Sequence, residues 1–366
     1  MPDLDSHRSS STDMPDVQRM SEFRALFGKN KVRSTSREYY EWKILRNPFQ
    51  RGSIYLERKD GIVAGSTTLT PKKLFVQGLG VQAAEIGDTF THPEYRRQGI
   101  FSRGVRACTQ YAVSHGIEVI YGTPNTQSLP GYQSKLGYPP CPFISLSYMT
   151  KNRRHLRALV RSLAKLTLGR RLGPPDVSPS VILRQAFSNR AASGPRVARG
   201  AEPFDIAAVD AFVDDIDGLW GKPRYIFCTI RDKTYLNWRY FDHPDDYHVV
   251  VAKEAGRLLG YVVTKVSNDG RIGTICDFIT FDDRLDVFHA LIDEAEKSLE
   301  KAGVHLIQLR CAAGSPYHEA LLERGYYDHG SLGRQQVIVY SGSDHGRTLL
   351  ATRAPWHFTL SDSDNI

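Results

Sequence analysis

The sequence predicts an α/β protein made of two tandem copies of one unit, and two observations carry that expectation. A block of twelve residues, Arg37 to Pro48, returns as Lys233 to Pro244, with Tyr39 matching Tyr235, Trp42 matching Trp238, Lys43 matching Arg239 and Pro48 matching Pro244. The stretches after each block then follow in the same order, their offset drifting only from 196 to 187. One shared Tyr-x-x-Trp is within the reach of chance; five matching elements in order are a duplication.

Each block precedes an apolar strand, a Gly turn and a second strand. The first copy reads Ile54 to Glu57, Asp60-Gly61 and Ile62 to Leu69; the second reads Val249 to Ala252, Ala255-Gly256 and Leu258 to Val266. A further strand, Gly87 to Thr91, matches Cys276 to Thr280. A helix follows in both and stops at His115-Gly116 and Ala302-Gly303, glycine being the usual end of a helix. Strands Glu118 to Tyr121 and His305 to Leu309 come next, then Leu136-Gly137-Tyr138 against Arg324-Gly325-Tyr326. The pattern divides the chain into a polar N-terminus (1–16), a first unit (17–150), a basic segment (151–200), a second unit (201–342) and a tail (343–366).

Chemistry concentrates in the first unit. The strand Glu85 to Thr91 runs through His92-Pro93-Glu94-Tyr95 into Arg96-Arg97-Gln98-Gly99-Ile100-Phe101, and a helix starts at about Ser102. A strand, a Gly-containing turn and a helix N-terminus together hold phosphate. Backbone N–H groups and the helix dipole face the anion, and glycine lets the backbone approach it. Arg96 and Arg97 add positive charge. By alternation Glu85 and Asp88 point to opposite faces of their strand, so only one can face a bound ligand. Pairing with Arg103 or Arg106 is the structural alternative for either.

Arg96 to Phe101, preceded by Pro93-Glu94-Tyr95-Arg96, resembles the acetyl-CoA motif of the GNAT N-acyltransferases, with Phe101 where the commonest form has Gly or Ala. The family's later Asn and Tyr, seven residues apart, are matched by Asn125 and Tyr132, and Gly137-Tyr138 closes the pattern with one extra residue in between. The resemblance implies that each unit is a mixed, mostly antiparallel twisted sheet flanked by helices. It implies acetyl-CoA or another short acyl-CoA as co-substrate, held by Phe90, Thr91, His92, Arg96, Arg97, Gln98, Gly99, Ile100, Phe101 and Asn125. Tyr132 would protonate the leaving thiolate, Glu85 or Asp88 would act as base unless water does, and N–H groups of the Phe90–His92 region would polarise the acyl carbonyl. In the second unit Phe288 replaces Gly99, Asp282 and Asp283 stand at Pro93 and Glu94, and the Asn–Tyr pair is lost in Cys311 to Tyr317. That unit is expected to keep the fold without binding the cofactor.

Composition narrows the partners. Residues 151–200 hold twelve Lys or Arg against the single acid Asp176, a local +11 that exceeds the +8 of the whole chain. The units themselves are near neutral, which speaks against a general nucleic-acid face. Within 152–173, Leu156, Leu159, Val160, Leu163 and Leu166 fall at helical spacing among basic residues. They suit a packed linker helix, one lying on an anionic membrane surface, or a contact with nucleic acid or a partner. Five scattered cysteines with no CxxC pair predict neither disulfides nor a metal site. With no apolar signal core or membrane-spanning run, the expected location is cytoplasmic, with peripheral contact at the inner membrane face open. The tail resembles those of GNAT-like proteins linked to bacterial surface polysaccharides, so Trp356, Asp362 and Asp364 are candidates to bind an amino sugar on a nucleotide, with a disordered tail as the alternative. The expected activity is acyl transfer to a small primary amine. Its rivals are a tandem aminoacyl transferase using charged tRNA, and a membrane-surface or assembly protein in which the fold is a relic.

Overall fold

The computed structural model describes residues 16–29, 36–76, 79–152, 204–213, 216, 219, 227–351 and 356–363. The predicted repeat appears as two runs of one element order. The first is β1 (Ser53–Lys59), β2 (Ile62–Val76), β3 (Leu79–Thr91), a helix Ile100–Ser114, β4 (Val119–Gly122), a helix Leu129–Leu136 and β5 (Pro140–Asn152). Short strands β6 (Asp205–Val209) and β7 (Phe227–Thr229) intervene. The second run is β8 (His248–Glu254), β9 (Arg257–Val266), β10 (Ile272–Thr280), a helix Leu285–Lys301, β11 (Leu306–Ala312), a helix Pro316–Glu323, the short β12 (Tyr327–Asp328) and β13 (Gln335–Tyr340). The 152–173 segment proposed as a basic helix lies outside the described residues, save Asn152, which is buried at the end of β5.

The runs share one open sheet in the order β1-β2-β3-β4-β13-β5-β11-β10-β9-β8-β6, with β12 beside β5 and β7 beside β2. All neighbours are antiparallel except β3/β4 and β10/β11. Each parallel pair needs a crossover, and the long helices Ile100–Ser114 and Leu285–Lys301 supply it. The last strands of the two runs are exchanged. β5 pairs with β11 from Asn152↔Leu306 to Leu146↔Ala312, and β13 pairs with β4 at Gly122↔Ile338.

The repeated tryptophans explain themselves at this join. Trp42 and Trp238 stack at 4.3 Å with planes 11° apart. Each indole N–H donates to the other residue's carbonyl, at 2.8 and 3.3 Å. Residue i contacts its own counterpart, as across a two-fold axis. The first crossover helix buries Ile100, Gly104, Val105, Cys108 and Ala112, one stripe at helical spacing. Gly104 is needed for its close seat on β2, because a Cβ there would lie 2.6 Å from Thr67 Oγ1. No helix among the described residues is long and apolar enough to cross a membrane.

The tail is built into the molecule. Ala312 N–H donates to Phe358 O (3.1 Å), and the Tyr121 hydroxyl donates to Asp362 O (2.6 Å). Trp356 and Asp362 are buried, and Asp362 is bound to Arg231 at 2.6 Å. The expectation that these two side chains present themselves to a sugar is therefore corrected: one packs in the core and the other meets a buried guanidinium. Asp364 lies outside the described residues.

Candidate active site

β3 and β4 pair only from Ala83↔Val119 to Glu85↔Tyr121. Where the pairing stops, β3 bulges: Gly87 faces Thr68 and Phe90 faces Ser66, so Asp88 and Thr89 stand against Thr67 alone. Asp88 takes a left-handed φ of +46°, which Asp tolerates better than most side chains. A cavity of about 410 Å³ opens at this point, with Asp88, Thr89, Thr123, Asn125 and Tyr132 from the first run on its wall. Arg310, Gln335 and Ser363 close it from the C-terminal half.

The bulge overturns the alternation argument for the two acids. The Asp88 carboxylate accepts from Lys43 Nζ (2.9 Å) and from Thr68 Oγ1 (3.2 Å). Glu85 faces Lys72 Nζ at 3.8 Å and accepts from Ser363 Oγ at 2.9 Å. Thr68, Thr70 and Lys72 alternate along β2, and Thr70 is the register partner of Glu85, so both acids lie on one face. Neither is paired as the structural alternative supposed. Arg103 bonds Glu57 (3.1 Å) and Arg106 donates to Lys135 O (3.2 Å). Ser363 Oγ also lies 3.0 Å from Thr123 Oγ1, so hydroxyls on the cavity wall lead to the buried Glu85.

Tyr132 is placed by local capping. Asn125 Oδ1 accepts from Gln127 N (3.0 Å) and Ser128 N (2.9 Å), fixing the entry to the helix Leu129–Leu136. Gly137 ends it at φ +70°. The Tyr132 hydroxyl lies 3.1 Å from Thr89 Oγ1, and the side chain is buried on the cavity wall. Burial raises its pKa well above the ordinary phenol range, so its proton stays in place at neutral pH.

The turn Arg96 to Phe101 has the shape of an anion cradle. Arg97 and Gly99 both take left-handed φ, +64° and +78°, and Gly99 caps the helix Ile100–Ser114. A Cβ on Gly99 would sit 3.0 Å from Arg103 Nη1. Arg96 and Arg97 are exposed, and neither side chain has a partner among the described residues. Gln98 is held by Lys59 (2.6 Å) and, through its carbonyl, by Arg103 (3.0 Å). Phe101 does not obstruct the turn. Its ring faces the next helix, 5.0 Å from the Tyr132 ring, over Gly131, where a Cβ would meet it at 2.8 Å. Ile100 is buried against Gly65, and Phe90 packs on Phe27 at 5.5 Å. Thr91 pairs with Gly65, and the His92 N–H donates to Ala64 O at 2.8 Å. That donor is spent in the structure, so the His92 N–H cannot polarise a carbonyl.

Residues 11–141 match the family model for the GNAT acetyltransferase domain. Solved structures agree on the fold over the greater part of the chain. A probable N-acyltransferase from Enterococcus faecalis V583 is 16% identical, with 88% of this chain and 70% of that one covered at a TM-score of 0.59. A tandem GNAT protein from the clavulanic acid biosynthesis pathway is 14% identical, with 90% and 96% covered at 0.55. Saccharomyces cerevisiae N-myristoyltransferase with bound myristoyl-CoA is 14% identical, with 93% and 80% covered at 0.58. No curated protein sequence matches.

Several residues on the wall or directly behind it escaped the sequence reading. Lys43 carried a signal, its match with Arg239 in the repeat, but not its partner Asp88. Thr89 sits one residue from a candidate that was named. Arg310, Gln335 and Ser363 carry none, because strand exchange and the returning tail bring them in from far along the chain; Thr123 directly follows β4.

Proposed function

We propose that the chain transfers an acetyl or other short acyl group from acyl-CoA to a primary amine. The observation that carries this is the adjacency of the Arg96–Phe101 cradle and a protonated Tyr132 at the cavity between β3 and β4. The cradle suits a pyrophosphate: two left-handed residues shape the turn, and Arg96 and Arg97 beside them have no side-chain partner among the described residues. Acyl-CoA supplies an activated thioester when bound there.

The chain's own groups then divide the work. Backbone N–H groups at the Asp88–Thr89 bulge face the carbonyl and stabilise its developing charge. Tyr132 holds a proton at its hydroxyl for the departing thiolate. Thr123 and Ser363 take a proton from the amine toward Glu85, while Asp88 is committed to Lys43 and orders the bulge. Ile86, Leu146, Ile338 and Phe358 give the cavity a small apolar part, suited to a short acyl group.

Thiol release from acetyl-CoA, measured across nucleotide amino sugars, free amino acids and polyamines, tests the reading. Release with at least one amine class, and its loss in Tyr132→Phe, is expected. No release with any amine and any short acyl-CoA overturns it.

A further inference from the structure

A second cavity of about 450 Å³ adjoins the first, and Arg310 and Leu360 line both. Its wall is polar and cationic. Asn268, Thr274, Gln308, Lys265 and Arg310 contribute, and no carboxylate is on it among the described residues. Gln308 is fixed on both sides, donating to Thr274 Oγ1 (3.0 Å) and accepting from the Tyr148 hydroxyl (2.9 Å). Lys265 is neutralised by Asp245 at 2.6 Å. Arg310 is not neutralised.

The Arg310 guanidinium, on β11, lies 5.0 Å over the Tyr148 ring and gives one hydrogen bond, to Gly333 O at 3.2 Å. It has five N–H donors and no carboxylate partner among the described residues. Burial pushes its pKa below the ordinary guanidinium value, as expected of a desolvated cation with no anion beside it. The contrast within this molecule is Arg231, fully buried but met by Asp277 (3.0 Å) and Asp362 (2.6 Å). A partly desolvated cation is costly to leave unpaired, and a ligand can bring the missing charge.

We propose that the acceptor amine carries an anionic group, phosphate or carboxylate, and that Arg310 holds this group where the two cavities meet. The amine then lies in the first cavity. The proposal rests on the acyl-transfer reading for the role of that cavity, but binding tests it without turnover. Calorimetry on the CoA-saturated protein would compare glucosamine 6-phosphate with glucosamine, and lysine with lysinamide, the two pairs separating phosphate from carboxylate. We expect the anionic member of at least one pair to bind ten- to a hundredfold more tightly, the scale of a charge-assisted hydrogen bond. R310Q should bring that member down to the affinity of its neutral partner, and R310K should restore part of the difference. CoA binding by both variants reports that they are folded. Equal affinities within both pairs, no binding of either pair, or a preference that survives R310Q overturns the proposal. Thiol release with the same amines is scored separately: silence there with discrimination intact counts against acyl transfer and not against the anion site.

Discussion

The two strand–turn–helix segments of this chain match in the repeat, yet they differ in where the helix begins. In the first, the helix begins at Ile100, and the four residues before it, Arg96 to Gly99, turn their backbone outward. In the second, the helix begins at Leu285, the counterpart of Arg96, so an added turn of helix covers the place of the cradle. Phe288, counterpart of Gly99, is fully buried between Phe278 (5.2 Å) and Tyr317 (4.8 Å). Tyr317, in the helix Pro316–Glu323, is buried, and no Asn stands seven residues before it. Its hydroxyl accepts from the Thr280 N–H at 3.0 Å. The same fold therefore makes a site or a core according to one turn of helix and the aromatic ring it carries.

That contrast can be broken from either side. Phe288→Ala should cost about 3–5 kcal/mol of stability, the range for removing a buried aromatic ring, without creating a second cofactor site. Denaturant melts measure the first part. Calorimetry on the folded variant should still count one CoA per chain; a second equivalent site in either protein would erase the distinction. Tyr132→Phe should lower turnover roughly ten- to a thousandfold with CoA affinity nearly unchanged, because only the proton donor is removed. Full turnover in that variant would place Tyr132 with Tyr317 as a packing residue. Gly99→Glu should weaken CoA binding about tenfold or more. It forces a side chain onto a left-handed residue beside Arg103 and sets a carboxylate in the cradle. Unchanged affinity would move the cofactor elsewhere.

What the sequence disclosed and what it hid follow the range of the interactions. The Arg96–Phe101 turn before its helix and the Gly137 stop depend on neighbours within about a turn, so spacing was enough to mark them; the capping role of Asn125 was not read. The repeat exposed Trp42 and Trp238 as equivalent positions but could not say that they stack on each other. The bulge at Asp88 was invisible because a period-two pattern has no place for an extra residue, and it moved Asp88 to the face of Glu85. Ser363 and Arg310 reach the cavity only through the ordered tail and the exchanged strands, contacts as distant as the 278 residues between Ser363 and Glu85. Phe101, an apparent misfit in the motif, is resolved by Gly131, thirty positions on, which no local rule connects to it.

The smallest effect concerns acid, and it sharpens the same contrast because its groups belong to the C-terminal half. His357 is buried beside Phe278 and Tyr317, and its pKa falls to about 4, through desolvation first and the nearby Arg231 second. His243, against Trp42 at 4.3 Å, falls to about 3 for the same leading reason, with Arg239 adding to it. In the unfolded chain both return to the ordinary value near 6.5. Between that value and the folded one the unfolded state binds more protons, so stability is lost as pH falls through this window. From pH 7 to 5.5 each histidine should cost about 1 kcal/mol, whereas the buried, arginine-paired Asp277, whose pKa is lowered, should begin to contribute only below the carboxylate range. Urea melts at the two pH values should therefore differ by roughly 2 kcal/mol in the parent protein and by about half that in His357→Gln. A parent protein equally stable at both values, or a variant that keeps the full difference, would show that His357 is not held neutral by the packing that fills the second unit.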